Sequence, residues 1–232
     1  MKNTKTALVV VCAILLVAAS IMGTLAYLTD TTDAVKNTFS VGKVTITLDE
    51  AKINTNGEPI KDDGTVVTDT EEAKRVTENT YVMIPGHTYT KDPTIRVASD
   101  SENCYLFVTI DNGIASVENT IENQLATVGT GRCWNPVEGY TNLYCYSSIY
   151  RENKYPQSVG AGSYPKVFRT ITIDEDATYE ELKALQDASA KIVINAYAVQ
   201  VDGFEGMSAK QIWETAFSGQ TTTAKPTTAP AT

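Results

Sequence analysis

The side chains suited to catalysis or metal binding are few in this 232-residue chain: one histidine, His87; three cysteines beyond the apolar N-terminus, Cys104, Cys133 and Cys145; and short acidic clusters. A common zinc hydrolase places two histidines one helical turn apart with a glutamate between them. His87 instead follows the Pro85-Gly86 turn and has no second imidazole. A Ser/His/Asp or Cys/His mechanism would also have to use His87, and no Gly-x-Ser-x-Gly elbow supports one. Phosphate loops, dinucleotide fingerprints and Cys-x-x-Cys pairs are absent from the sequence. Glu71-Glu72 and Asp174-Glu175-Asp176 read as solvated faces or helix-start acids. Asp62-Asp63-Gly64 and Asn54–Glu58 carry oxygen ligands, but neither follows an EF-hand spacing, and turn chemistry accounts for both. The expectation is a protein that is not an enzyme, with no catalytic residue, no metal site and no cofactor.

Two other groups of residues have a chemical reading. Cys133 and Cys145 flank a loop containing Asn135-Pro136, Glu138-Gly139 and Asn142, and form a disulfide if that loop doubles back. Cys104 lies in an apolar run and reads as a buried thiol, although an odd count leaves other pairings open. Trp134, Tyr140, Tyr144, Tyr146, Tyr150 and Tyr155 form an aromatic-rich stretch. It is either a set of cross-strand pairs, each stabilising a sheet by a few tenths to about 1 kcal/mol, or a carbohydrate-binding platform.

The elements that position these residues begin after an address. Lys2 and Lys5 precede a run from Ala7 to Leu28 that carries no charge, the layout of a secretory signal. Thr24 and Ala26 supply the small residues that a signal peptidase reads, so cleavage is expected between Ala26 and Tyr27. Cys12 leaves with residues 1–26. The remaining 206 residues (232 less 26) suffice for one large β domain, and the formal charge moves from −9 to −11 because Lys2 and Lys5 are the only charges lost. A chain this acidic does not bind nucleic acid or an anionic membrane by bulk electrostatics.

Strands are expected wherever apolar residues alternate. Val44, Ile46 and Leu48 share one face, and Cys104, Leu106, Val108 and Ile110 share another, with Tyr105 and Phe107 opposite them. Tyr81–Gly86, Lys91–Val97, Leu143–Tyr146 and Phe168–Ile173 also read as strands. Lys191–Val201 is apolar on both faces and reads as a central strand. Residues 50–80 are polar and turn-rich, with Asn56-Gly57 and Asp63-Gly64 as hairpin turns, and read as an excursion from the core. Two short helices are expected, one capped by Thr178 with Glu181 and one capped by Ser208 with Gln211. Residues 219–232 are rich in Thr and Pro, lack apolar periodicity and read as a disordered tail. Tyr27 to Ser40 has no Gly or Pro and is rich in β-branched residues, so it forms a strand only with a partner sheet.

The block Gly23-Thr24-Leu25-Ala26-Tyr27-Leu28-Thr29-Asp30, followed by Asn37-Thr38-Phe39-Ser40-Val41-Gly42, resembles the start of exported proteins processed by the SipW-type signal peptidase of Gram-positive bacteria, the TasA and camelysin-like family. Ile84-Pro85-Gly86 with Lys91-Asp92-Pro93, and Ala196–Phe204 before Trp213, extend the likeness in scattered blocks. The resemblance implies a mainly β, jelly-roll-like antiparallel sandwich over 27–218, secreted to the cell surface or biofilm matrix. It also implies fibres built by donor-strand exchange, with 27–40 as donor and Leu28, Val35 and Phe39 as its anchors. The implied partners are the SipW-type peptidase and further copies or related matrix proteins, with membrane contact only through the signal segment. The alternatives are a monomeric surface protein binding through the aromatic 134–155 region and, third, a camelysin-like metallopeptidase.

Overall fold

The computed structural model describes residues 43–126, 132–148 and 155–219. The signal segment with Ala26 and Tyr27, the donor candidates Leu28, Val35 and Phe39, Tyr150 and the tail beyond 219 lie outside the described residues. Nine strands are described: β1 (Ile46–Ala51), β2 (Arg75–Val76), β3 (Thr88–Thr90), β4 (Thr94–Val97), β5 (Cys104–Asn112), β6 (Arg132–Pro136), β7 (Leu143–Ser148), β8 (Thr170–Thr172) and β9 (Ile192–Gln200). They pair antiparallel in three sheets, with orders β2-β1-β4, β3-β8 and β6-β7-β5-β9. Three helices join them: α1 (Ile121–Leu125), α2 (Tyr179–Asp187) and α3 (Ala209–Ala216). The five-residue α1 exceeds the two expected helices. It is too short to show a 3.6-residue period and has no side-chain cap to announce it.

The strand β5 sits between β7 and β9, and its alternation organises both sides of the largest sheet. Cys104, Leu106, Val108 and Ile110 enter the main core, where Ile95 and Val97 of β4 meet Trp134 and Tyr146. Tyr105 and Phe107 point the other way, into a second cluster closed by Ile212 and Trp213 of α3. Trp213 packs edge-on to Tyr197 at 5.0 Å between ring centroids and lies 5.5 Å from Phe107. Truncating a tryptophan buried in this way costs about 3–5 kcal/mol, so the docking of α3 is a substantial share of the fold's stability.

Both expected capping boxes form. Thr178 Oγ1 accepts from the Glu181 amide at 3.3 Å while Glu181 Oε2 accepts from the Thr178 amide at 2.9 Å. Ser208 and Gln211 repeat the exchange at 3.3 and 2.9 Å. Each box satisfies amides that the first helical turn leaves without partners. At the other end of α2, Ser189 adopts φ 53°, a conformation that glycine occupies without penalty. Gly113 follows β5 because a Cβ there would lie 2.6 Å from the Lys191 carbonyl oxygen.

Four expectations need correction. First, residues 50–80 are not an excursion: Asn56-Gly57 and Asp63-Gly64 do form tight turns, with φ 79° and 84° at the glycines, but β2 pairs with β1 and Ala51, Ile53 and Ala73 are buried. Second, among the described residues β9 is an edge strand, paired to β5 alone. Both its faces are apolar because one meets the main core and the other lies under α3, which is a matter of layers and not of neighbours in the sheet. Third, Tyr81–Ile84 has no ladder among the described residues, and the pairing strand after the Pro85-Gly86 turn is β3, against β8. Fourth, the loop after β6 does double back, yet Cys133 and Cys145 are free thiols. The register sets Cys133 opposite Ser147 and Cys145 opposite Asn135, so the cysteines are diagonal neighbours. Diagonal Cα atoms lie at about 7–8 Å, beyond what a disulfide spans without backbone movement.

Candidate functional site

Charged side chains are held beneath the β2-β1-β4 sheet by a network that ties the 70–76 segment to β4 and to Lys166. Asp92 is 1% exposed and accepts from the Ala51 amide at 2.7 Å, from Arg75 at 3.0 Å and from Lys166 at 3.2 Å. Arg75 spends its remaining donors on Asp49 at 2.8 Å, the Thr70 carbonyl at 3.1 Å and Thr94 Oγ1 at 3.0 Å. Arg96 joins Asp49 at 2.9 Å to Glu71 at 2.8 Å. Three carboxylates face three cations, so the cluster is neutral. Burial alone would raise the Asp92 carboxyl, but the Ala51 amide, Thr70 and Arg75 outweigh it and hold it below the usual range. Glu71 is lowered in the same sense, its burial outweighed by Arg96 and Lys166.

Beside this network lies an open groove of about 540 Å³. One wall is β1 at Leu48–Glu50, a second is β9 at Ile192 and Ile194, and a third is the segment from Thr77 to Met83. Ile114, Ile171 and Ile173 contribute its apolar floor. At the polar end Lys91 pairs with Glu50 at 2.7 Å, and Asn79 donates to Glu50 at 2.9 Å and to the Ala51 carbonyl at 2.9 Å. The Lys91 ammonium also stands 5.3 Å from the Tyr81 ring centre. Burial, with Glu50 nearby, pushes the Tyr81 phenol up, so it stays a neutral donor to the Thr90 carbonyl.

The groove is flanked by strand edges that have no ladder among the described residues. Among the described residues β1 pairs only with β4 from Ile46 to Asp49, β9 pairs only with β5, and no ladder joins β1 to β9 although the two lie near each other. Among the described residues each strand therefore has one edge without a ladder beside the groove, with half-buried apolar side chains between them. Such a site has the chemistry to accept an extended peptide, its backbone satisfying the edges and its alternate side chains filling the apolar floor.

The other residues singled out in the sequence lie elsewhere. His87 Nε2–H donates to the Asn56 carbonyl at 3.0 Å, and its ring lies 4.4 Å from Tyr89. Among the described residues no group of three or more His, Cys, Asp or Glu is placed to hold a metal ion. Asn54 Oδ1 accepts from the Asn56 and Glu58 amides at 2.9 and 3.0 Å, and Asp63 Oδ1 from the Thr65 amide at 2.9 Å, so these oxygens are occupied by turns. Glu72 pairs with Lys61 at 3.1 Å, and Asp174 caps its own turn through the Asp176 amide at 3.0 Å.

The aromatic stretch does not form a platform around Trp134. That side chain is 1% exposed, donates Nε1–H to the Lys166 carbonyl at 2.9 Å and lies 5.1 Å from Tyr146 in the main core. Cys104, Cys133 and Cys145 are all buried; burial pushes the Cys104 thiol to about 11 and raises the other two. The groove residues Glu50, Asn79, Tyr81 and Lys91 were not singled out by sequence reasoning. Their signal is the alternation through Tyr81, which the sequence does carry, but nothing local couples it to Glu50 or Lys91.

Among the described residues no helix is long and apolar enough to cross a membrane. Compared with protein-family models, with curated proteins and with solved structures, the chain matches none of them.

Proposed function

We propose that the protein is an exported structural subunit of the extracellular or biofilm matrix, a jelly-roll-like β-sandwich that polymerises into fibres by donor-strand exchange. A SipW-type peptidase cuts between Ala26 and Tyr27, and residues 27–40 of one copy complete the sheet of the next through Leu28, Val35 and Phe39. The observation that carries this reading is the groove between the unpaired edges of β1 and β9. Natural proteins cover or blunt long apolar edges. Strand β9 runs for nine residues without proline or charge and has no ladder on its outer side among the described residues. A head-to-tail contact between the donor of one copy and the groove of the next does not close on itself and so generates a filament.

The test is electron microscopy with sedimentation of protein that begins at the native Tyr27 and carries no N-terminal tag. Filaments are expected, and deleting residues 27–40 should abolish them while the domain stays folded. A folded monomer that persists across pH and calcium concentration refutes autonomous polymerisation.

A further inference from the structure

At the polar end of the groove one carboxylate joins an amine to an amide. Glu50 Oε2 accepts from Lys91 Nζ at 2.7 Å, and Glu50 Oε1 accepts from Asn79 Nδ2 at 2.9 Å. Glu50 is 5% exposed and Lys91 9%, so water barely reaches either charge. The Tyr81 ring stands against the same ammonium. Every polar atom of the Asn79 amide is held: Oδ1 accepts from the Ile53 amide at 3.1 Å, and Nδ2 donates to the Ala51 carbonyl at 2.9 Å as well as to Glu50. A backbone donor on one side and a backbone acceptor on the other determine which end is oxygen. The second buried lysine, Lys166, lacks this arrangement. Its partner Asp92 accepts from the Ala51 amide, Arg75 and Lys166, and from no side-chain amide among the described residues.

We infer that Lys91 and Asn79 become joined by an intramolecular isopeptide bond, with Glu50 carrying protons between the two nitrogens. The inference is independent of how copies of the chain assemble. Lysine held out of water is a nucleophile once it has lost a proton, and Glu50 lies on Nζ to take it. Moving that proton along the 2.7 Å bond also discharges the pair, removing two charges from a site that water barely reaches.

The atoms for each step are in contact with the groups they need. Nζ gives one proton to Glu50 Oε2 and attacks Asn79 Cγ, forming the N–C bond while the carbonyl electron pair moves onto Oδ1. The Ile53 amide, already donating to Oδ1, stabilises the charge that develops there. Glu50 then delivers a proton through Oε1 to Nδ2 and takes a second from Nζ, acting as acid and base in turn. The Cγ–Nδ2 bond breaks with its electron pair, the carbonyl reforms, and ammonia leaves as ammonium with the proton remaining on Glu50. No oxidant and no second reactant is consumed. Holding amine and amide on one carboxylate supplies the proximity that makes an unactivated amide reactive. The product ties the Thr77–Met83 wall of the groove to the end of β3 in a closed loop around the Pro85-Gly86 turn.

Intact mass and peptide mapping of the folded 27–232 chain test the bond. After incubation until the mass is constant, the unfolded chain with reduced cysteines should be lighter than its sequence by one ammonia. In an unlinked chain trypsin cuts after Arg75, Lys91 and Arg96. Acylation of Lys91 should block the middle cut and leave one looped peptide, 76–96, lighter by the same ammonia. Glu50→Gln keeps the size of the side chain but cannot relay a proton, and Lys91→Arg removes the nucleophile; both should have the full sequence mass. Full sequence mass in the folded parent chain would overturn the inference whatever the variants do. Loss of ammonia with Lys91 still cut by trypsin would place the loss in a succinimide, and loss of water would join Lys91 to Glu50; either overturns the Lys91–Asn79 bond. Linkage that persists in Glu50→Gln would overturn Glu50 as the proton carrier.

Discussion

Replacing Arg75 with methionine removes the cation that contacts Asp49, Thr70, Asp92 and Thr94, and leaves a carboxylate at Asp92 that water reaches over only 1% of its side-chain surface. Removing one partner of a buried pair costs about 3–5 kcal/mol, because the other charge is stranded. Lys166 remains 3.2 Å from the same Asp92 oxygen and the Ala51 amide still donates at 2.7 Å, which places the expected loss near the lower end, about 3 kcal/mol. With a urea m-value of about 2 kcal/mol/M, the unfolding midpoint should fall by about 1.5 M at unchanged m. Adding Asp92→Asn removes the stranded charge while keeping an acceptor for the Ala51 amide, so the double variant should recover about 1–2 kcal/mol. The same carboxyl sets a pH dependence. Its folded-state pKa is lowered, so its contribution is complete above the unfolded value near ~3.9 and is lost as pH falls through the lower folded value. Stability should therefore drop below about pH 4, less steeply in Asp92→Asn, with Glu71 supplying part of the remaining slope. An Arg75→Met cost within about 1 kcal/mol, the size of an exposed pair, or a double variant no better than the single one, would refute this account.

Other consequences are measurable on the same domain. Trp134→Ala should lower stability by about 3–5 kcal/mol in urea unfolding, because Trp134 is a core side chain; lost sugar binding at unchanged stability would contradict its burial. Ser189→Gly relieves the left-handed residue after α2 and should raise stability by about 1 kcal/mol, read as a higher thermal midpoint. Cys104, Cys133 and Cys145 should resist thiol reagents at neutral pH in the native state and react fully in denaturant; rapid labelling of any of them in the native protein would contradict their burial and raised pKa values.

Much of the local architecture was legible because local chemistry determines it. Thr178 with Glu181 and Ser208 with Gln211 form the boxes their spacing announces, and Asn56-Gly57 and Asp63-Gly64 make the turns their types favour. The split of β5 into a Leu106 face and a Phe107 face follows from alternation alone. The charge network was not legible. Asp49, Arg75, Asp92, Arg96 and Lys166 are scattered over more than a hundred positions, and no local pattern distinguishes a buried Arg75 from a solvated one. Residues 50–80 read as an excursion for that reason, since their connection to the fold runs through charge and a two-residue strand instead of an apolar stripe.

The groove marks a second kind of limit. Alternation reports which faces of a strand are covered; it is silent on whether the strand's edges are paired, because face and edge are perpendicular and side chains record only the first. Strand β9 illustrates one consequence: two covered faces suggested a central strand, but cover on its two sides comes from the main core and from α3, and among the described residues one edge has no ladder. Glu78–Ile84 illustrates the converse. Its alternation encodes a strand, its inward residues take their places on the groove wall, and among the described residues it has no ladder. A period-two segment that has a covered face but no paired edge is a strand in every respect that its own side chains can specify. Among the described residues nothing completes it, and the edges of β1 and β9 beside it are likewise without a ladder. An extended segment bonds along two edges only, so an incoming strand can complete at most two of the backbones that converge here, and unladdered edges beside one groove are together a stronger reason to expect one than any single edge.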